Sequence, residues 1–288
     1  MDENKTETHD KKNYLISVDG SDHSDWGFDM TFNEIYKKND YLTVLHVANH
    51  NKISDIPFKY QPDQIISKYE TKLIGKLPKH DYILIRKNRA NEKTHALEVV
   101  NEVARTNNAD LLVLGCQGHK GVKDRKELSS GIIYLIKYIN IPSIIVKENS
   151  QRAKKEVKGF NWLVCIENHY TRSFKAFELA ATLIDKEKDY ITALHLHSSG
   201  DNYKETEDGF EKYCVKVGIA KRKFVAIEKN PKLSVGKNIC EYVNLGNDYI
   251  DFVVIGHNIS KYSEDMNASP TVDIIRFAQA NILFSSKA

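Results

Sequence analysis

The second half of the chain repeats the pattern of the first half. Three segments recur: 15–19 as 163–167, 40–47 as 189–196, and 110–115 as 251–256. The offsets are 148, 149 and 141 residues, so the second copy is about eight residues shorter between its second and third recurring segments. Self-similarity over this distance predicts two copies of one folding unit, because each copy has the same set of structural elements.

Each copy alternates short apolar strands with helical patterns. In the first copy the predicted strands are 14–18, 41–47, 82–85, 111–114 and 143–146, and helical spacing covers 26–36, 65–77, 96–104 and 132–139. Strands separated by helices predict βαβ units and a parallel sheet. Strands that are apolar on both faces indicate helices on both sides of that sheet. The predicted fold is therefore α/β, with two tandem open sheets of five parallel strands each.

The repeat also sets the expected domain boundaries. Residues 13–148 and 160–288 are the two predicted domains, preceded by a solvated tail at 1–12 and joined by a charged linker at 149–159. A length of 288 residues agrees with two domains of ordinary size.

Charge and apolar patterning exclude several classes of protein. The 42 basic and 39 acidic residues nearly balance, which argues against nucleic acid as a partner. No run of 18 apolar residues is present, so insertion into a membrane is not expected. The polar N-terminus does not resemble a secretory signal, and we expect a cytoplasmic protein with reduced cysteines.

His195 and His197 lie two apart without a third ligand, so no metal site is expected.

The richest polar segments follow the first and fourth strands, where open parallel sheets bind their ligands. The first strand runs into Asp19-Gly20-Ser21, and the fourth runs into 115–121, GCQGHKG, ahead of a helix that begins near Ser129 and Ser130. Glycines allow a backbone to approach a ligand closely, and a helix N-terminus attracts phosphate. The alternative is that the glycines serve only as turns and the serines only as helix caps. Lys123, Arg125 and Lys126 are more typical of a solvated loop than of a phosphate site.

Taken together, these segments resemble the universal stress protein family. The resemblance rests on 18–24, VDGSDHS; on 45–47, LHV; on Leu114-Gly115-x-x-Gly118; and on Ser129-Ser130 followed by Pro142. It covers nearly all of residues 13–148 and reaches 160–288 mainly through the internal repeat. The family has a five-stranded parallel, Rossmann-like α/β fold. Many of its members bind ATP through a G-x2-G-x9-G-S/T signature, and others lack the signature and do not.

The resemblance implies an adenine nucleotide site, for ATP with Mg, in the first half. Seven residues would form it: Asp19, Val47, Leu114, Gly115, Gly118, Ser129 and Ser130. By position, the aspartate would contact the ribose or the adenine edge, and the two apolar side chains would pack on the adenine. The glycines would bring backbone to the ribose and phosphates, and the serines would hold phosphate oxygens.

The sequence departs from that signature in both halves. Ser129 replaces the third glycine and lies one residue too far from Gly118, an insertion that Gly121 would absorb. A serine at a position that needs positive φ would be strained. In the second half, Glu167 stands for Asp19, Ile259 for Gly118, and Ser269-Pro270-Thr271 for 128–130. The second half is therefore expected not to bind nucleotide.

The residues and the resemblance leave two functions open. The first is a stress-response regulatory protein that binds ATP and is not an enzyme beyond slow ATP hydrolysis, since no nucleophile–base motif or Walker loop is present. The alternative is a structural or adaptor module in a larger assembly with an unidentified protein partner. Because family members commonly pair through their last strand, the segments 144–146 and 282–284 are expected to dock the halves as an intramolecular pseudo-dimer.

Overall fold

The apolar segments of the first half form strands in a computed structural model of the chain. The structure describes residues 11–49, 57–118, 121, 127–147, 159–167, 171–246, 248–256 and 269–285. The elements of the first half are β1 (Asn13–Val18), α1 (Asp22–Met30), a π-helical turn (Thr31–Ile35), β2 (Tyr41–Ala48), a 3₁₀ turn (Phe58–Tyr60), α2 (Pro62–Leu73), β3 (Tyr82–Asn88), α3 (Ala96–Thr106), β4 (Leu111–Gly115), α4 (Ser130–Tyr138) and β5 (Ser143–Val146).

One predicted helix is longer than the observed one. The apolar spacing continues to Leu77, but α2 ends at Leu73 because Ile74 adopts an extended conformation and Gly75 follows at a φ of +76°. The side chain of Ile74 is 60% exposed and does not extend the buried stripe of the helix. Glycine is the residue that enters this left-handed conformation without strain.

The second half contains the same elements in the same order. They are β6 (Asn161–Ile166), α5 (Thr171–Leu183), β7 (Tyr190–His197), α6 (Lys204–Val217), β8 (Arg222–Glu228), α7 (Val235–Leu245), β9 (Phe252–Gly256), α8 (Pro270–Phe277) and β10 (Asn281–Ser285). The predicted alternation of strands and helices is thus confirmed in both halves.

The strands form one sheet of ten, in the order β3-β2-β1-β4-β5-β10-β9-β6-β7-β8. Pairing is parallel within each half and antiparallel between β5 and β10, where Ile145 faces Ile282 and Ile144 faces Leu283. Each half thus contributes five parallel strands, as predicted, and the two sets join edge to edge into one sheet. The cause is that β5 and β10 are apolar edge strands, and each covers the unpaired backbone groups of the other.

Helices cover both faces of this sheet. Side chains of α1, α2, α5 and α6 pack in one apolar layer, and those of α3, α4, α7 and α8 pack in the other. Equivalent helices share a face because the antiparallel pairing relates the two halves by a rotation about an axis perpendicular to the sheet. Within the ranges given above, no helix has the length and apolar character needed to cross a bilayer.

Part of the internal repeat is explained by aspartates that bind the backbone at the start of the first strand of each half. Asp110 accepts the Asn13 N–H at 2.7 Å, and its counterpart Asp251 accepts the Asn161 N–H at 2.8 Å. Asp189 begins the recurring segment 189–196; it is buried and accepts the Phe160 N–H at 2.7 Å. These carboxylates lie at the amino ends of the strands, opposite the edge where a ligand is expected, so their role is structural.

Candidate functional site

The turn after β1 is held by the carboxylate of Asp19. Its Oδ1 accepts the backbone N–H of Ser21 at 3.1 Å and the hydroxyl of Ser21 at 2.6 Å. Ser21 in turn caps α1, since its Oγ accepts the Ser24 N–H at 3.2 Å. Gly20 turns the chain with a φ of +81°. The carboxylate is thereby fixed where the first strand ends.

The end of β4 touches the first turn of α1. A Cβ atom on Gly115 would lie 2.5 Å from the carbonyl carbon and oxygen of His23, a distance that side chains do not tolerate. Glycine is therefore required here by the close packing of backbone on backbone. This requirement is separate from the approach to a ligand that the sequence pattern suggested for Gly115.

The loop that follows β4 passes over Asp19. A Cβ atom on Gly118 would lie 2.6 Å from Asp19 Oδ2, and the carbonyl oxygen of Gln117 lies 3.5 Å from Ser21 Oγ. The Gly121 N–H donates to the Gly118 carbonyl at 2.8 Å, at a φ of +64° for Gly121. The loop thus turns back at the glycine that was expected to absorb the insertion. His119, Lys123, Arg125 and Lys126 lie outside the described residues.

Ser129 caps α4 and faces the same loop. Its Oγ accepts the Ile132 N–H at 3.3 Å and lies 3.4 Å from the carbonyl oxygen of Cys116. Its φ is −62°, so the expected strain at this position is wrong: the residue is an ordinary extended N-cap. Ser130 is exposed at the first helical position, and the first turn carries no acidic side chain. The positive end of the helix dipole is therefore not neutralised within that turn.

The two apolar candidates lie at different depths. Leu114 is buried in the layer formed with α3 and α4, whereas Val47 is half-buried and packs against the rim of that layer. Since β2 and β4 flank β1 in the sheet, both side chains lie beside the strand that leads to Asp19. Val47 has exposed surface that a ligand could contact, whereas Leu114 is part of the apolar layer beneath the candidate site.

Residues 12–147 match the sequence model of the universal stress protein family. The first half of the chain belongs to this family. The geometry described above is therefore that of a universal stress protein domain, with the loop after β4 placed between the end of β1 and the start of α4.

Solved structures show the same fold over both halves. The chain resembles a universal stress protein from Archaeoglobus fulgidus DSM 4304 with a TM-score of 0.64 and 16% identity, covering 96% of this chain and 98% of that chain. It also resembles the cytoplasmic domain of a prokaryotic cation chloride cotransporter, with a TM-score of 0.54 and 15% identity, over 96% of each chain. No curated protein matches the chain in sequence.

The second half presents different groups at the equivalent position. Glu167, the counterpart of Asp19, is exposed, and its backbone N–H donates to Ser173 Oγ at 3.3 Å. Ser269 stands at the N-cap of α8 without a side-chain capping bond, and Pro270 removes one N–H from the first turn. Ile259, predicted to replace Gly118, lies outside the described residues. The polar turn that organises the first site is thus not reproduced.

Equivalent histidines hold the ends of the central strands together. His46 Nδ1 lies 2.9 Å from the Val18 carbonyl oxygen, and His195 Nδ1 lies 3.0 Å from the Ile166 carbonyl oxygen. Both rings are buried, so their role is packing at the strand end. His197 stacks beside His195 at 6.5 Å, and no cluster of three potential metal ligands occurs within the part of the chain that the structure describes.

A pair of chemically active side chains lies beside the site and was not predicted from the sequence. Cys116 Sγ lies 3.2 Å from His23 Nδ1, although the two residues are 93 positions apart. The backbone N–H of Cys116 donates to the Val146 carbonyl at 2.9 Å, which places the thiol next to the end of β5. The only hint in the sequence is that Cys116 belongs to the glycine loop, because a contact over this distance leaves no local pattern.

Proposed function

We propose that this chain is a regulatory protein of the universal stress type that binds ATP, or a related adenine nucleotide, in its first half. One observation supports the proposal above the others: Asp19, Gly118 and Ser129 converge around one loop at the carboxyl edge of the sheet. Ligands of open parallel sheets bind at this edge. Because Gly118 has no side chain, the loop can pass close to the Asp19 carboxylate, which Ser21 already holds in place.

The residues present suit the parts of an adenine nucleotide. Asp19 Oδ2 faces the loop and is suited to accept a hydroxyl of the ribose. Val47 offers an apolar rim for the base. The start of α4, with Ser129 and Ser130, is suited to phosphate oxygens, because its dipole is favourable and its first turn carries no carboxylate. Mg²⁺ would arrive on the phosphates and neutralise part of their charge.

We propose that binding, and not turnover, is the function of the site. Asp19 is the carboxylate at the centre of the site, and its Oδ1 is engaged by both donors of Ser21. A general base must be positioned to take a proton from the attacking group. A carboxylate that is used to close a turn suits recognition better, so hydrolysis of ATP would be slow at most.

We propose further that the second half does not bind nucleotide and completes the protein as the partner in a pseudo-dimer. The exposed Glu167 and the uncapped start of α8 favour this role. The apolar strands β5 and β10 are buried against each other, so the second half covers the apolar edge strand of the first. Stress-dependent regulation would then act through a surface of the joined halves.

A thermal shift titration tests nucleotide binding. Ligand at a hundred times its Kd adds about 2.7 kcal/mol to the stability of the folded chain, which raises the Tm by several degrees. We expect ATP-Mg at millimolar concentration to raise the Tm of the full chain. Ser129→Ala should reduce the shift, whereas Ser269→Ala, at the equivalent position of the second half, should leave it unchanged. No shift in the unmodified chain would contradict the proposal.

A second candidate function is that of an adaptor module in a larger assembly. The observation that favours it is the likeness in fold, over both halves, to the cytoplasmic domain of a prokaryotic cation chloride cotransporter. Gel filtration of a lysate from the native cells distinguishes the two candidates. Elution at the size of a single chain would contradict the adaptor, and co-elution with a larger species would favour it.

A further inference from the structure

Cys116 lies in the loop of the candidate site. The residue directly follows β4, and its side chain is half-buried against the apolar layer beneath α3 and α4. Its carbonyl oxygen lies 3.4 Å from Ser129 Oγ, and the next residues of the loop lead to Gly118 above Asp19. A group attached to this sulfur would therefore lie near the ends of β1 and β4.

His23 lies within hydrogen-bond distance of that thiol. The Sγ–Nδ1 distance is 3.2 Å, and the imidazole is held edge-on against Trp26 with the ring centroids 4.6 Å apart. His23 belongs to the first turn of α1, which also carries the acidic Asp22 and Asp25. A thiol paired with an imidazole can transfer its proton to the ring nitrogen, and the thiolate is the nucleophilic form.

A lysine from the end of β5 adds positive charge on the other side. Lys147 follows Val146, whose carbonyl oxygen accepts the Cys116 N–H at 2.9 Å. Burial lowers the pKa of Lys147 to about 8, and attraction to the Cys116 thiolate opposes this lowering. The same attraction must favour the thiolate over the thiol, because an interaction between two opposite charges stabilises the ionised form of each.

Burial dominates the pKa of each of the other three cysteines, although Lys147 also attracts the ionised form of Cys240. Burial raises the pKa of Cys214 and of Cys240 to about 12, and it also raises the pKa of Cys165. Cys214 and Cys240 are fully enclosed in the two apolar layers. Thiols of this kind stay protonated at neutral pH and do not react. Cys116 is thus the thiol best suited to reaction, and the other three cysteines serve as slow-reacting controls in the same chain.

We propose that Cys116 is a modification site that undergoes thiol–disulfide exchange with a low-molecular-weight disulfide such as oxidised glutathione. His23 Nδ1 takes the thiol proton, and the Cys116 thiolate attacks one sulfur of the glutathione disulfide. A new Cys116–glutathione S–S bond forms while the original S–S bond breaks. Reduced glutathione leaves as a thiolate and takes up the proton, so no additional oxidant is needed.

The modification would close the candidate site. A tripeptide on Cys116 Sγ would lie over Ser129 and beside Asp19, where the nucleotide phosphates and ribose are placed in the proposed function. Competition between glutathionylation and ATP therefore rests on that proposed function, whereas the reactivity of Cys116 does not. The chain would then respond to the thiol redox state through the same loop that binds nucleotide.

Site-resolved mass spectrometry of the full chain tests the reactivity. With oxidised glutathione at neutral pH, we expect Cys116 to be modified more than about tenfold faster than Cys165, Cys214 and Cys240. His23→Gln keeps a polar side chain but cannot take the proton, and we expect it to slow the reaction at least about fivefold. His80→Gln, which changes a side chain 83% exposed and distant from the thiol, should have no effect.

The pH profile of alkylation supplies a readout that does not depend on a variant. With iodoacetamide, the rate at Cys116 should reach half its plateau below about pH 8.5, which is the pKa of an unperturbed cysteine. A midpoint at or above this value, or equal glutathionylation of all four cysteines, would overturn the proposal. Protection of Cys116 by ATP-Mg is measured separately, and its absence would contradict the nucleotide site while leaving a selective reaction at Cys116 intact.

Discussion

Asp19 Oδ2 lies 2.6 Å from the point that a Cβ atom on Gly118 would occupy. The two residues are brought together by β1 and β4, which are neighbours in the sheet and end at the same edge. Any side chain at residue 118 would have to displace the carboxylate that closes the turn before α1. The glycine and the aspartate therefore form one structural unit, and a change at either residue alters the candidate site.

The contact between β4 and α1 predicts a difference between two nearby glycines. Gly115→Ala places a carbon 2.5 Å from the backbone of His23, whereas Gly27→Ala places one at an ordinary 3.6 Å from the Gly115 nitrogen. Overpacking of this kind costs about 1–3 kcal/mol. Gly27→Ala should be neutral or stabilising by up to about 1 kcal/mol, because alanine is the better helix former. Urea unfolding of both variants measures the difference, and equal stabilities would contradict the described packing.

The two N-caps of the repeat predict different costs for the same substitution. Ser129→Ala removes the capping bond to the Ile132 N–H and should destabilise the chain by about 1 kcal/mol. Ser269→Ala removes no capping bond from α8 and should cost clearly less. Both variants are compared by thermal denaturation without nucleotide. A larger loss from the second substitution would show that the caps are assigned to the wrong halves.

The half-buried Lys147 predicts a pH dependence of stability. Its pKa falls from 10.5 to about 8 in the folded chain. Between these values the unfolded chain binds a proton that the folded chain lacks, so the free energy of unfolding from this group rises with pH across that window. Below the folded pKa of about 8 the cost of burying the charge is fully present. Lys147→Met should therefore reduce the increase in stability between pH 8 and 10.5.

An exposed lysine provides the control for this pH dependence. Lys79→Met removes the same type of charge at an exposed position and should leave the slope over the same pH window unchanged. The Lys147 ammonium also donates to the Ala278 carbonyl at 2.6 Å, across the junction of the halves. Parallel pH profiles for Lys147→Met and the unmodified chain would show that this lysine titrates like a solvated one.

The general fold could be predicted because its signals are local and occur twice. Alternating strands and helices, and the recurring segment that ends at Gly115 and again at Gly256, were sufficient for a parallel α/β fold in each half. Element ends were harder to predict. Leu77 continues the apolar spacing of α2, yet the helix has already ended at Leu73, because the conformation of Gly75 overrides the pattern.

Contacts between distant residues could not be predicted from patterns. The φ of Ser129 depends on how the loop ends, and a signature that has glycine there led to an expectation of strain that the extended cap does not show. The packing of Gly115 on His23, and the pairing of His23 with Cys116, arise only after β4 and α1 are in place. Residue types alone do not distinguish a glycine that allows a ligand to approach from one, such as Gly115, that allows a strand end to pack against a helix.

The central claim is that the first half binds an adenine nucleotide at the Asp19–Gly118 unit. Calorimetric titration of ATP-Mg into the full chain tests it most directly, with Gly118→Val as the disrupted variant and Gly27→Ala as a glycine substitution outside the loop. We predict saturable binding near one site per chain, retained in Gly27→Ala and lost in Gly118→Val. No heat of binding at millimolar ATP, or undiminished binding by Gly118→Val, would contradict the claim.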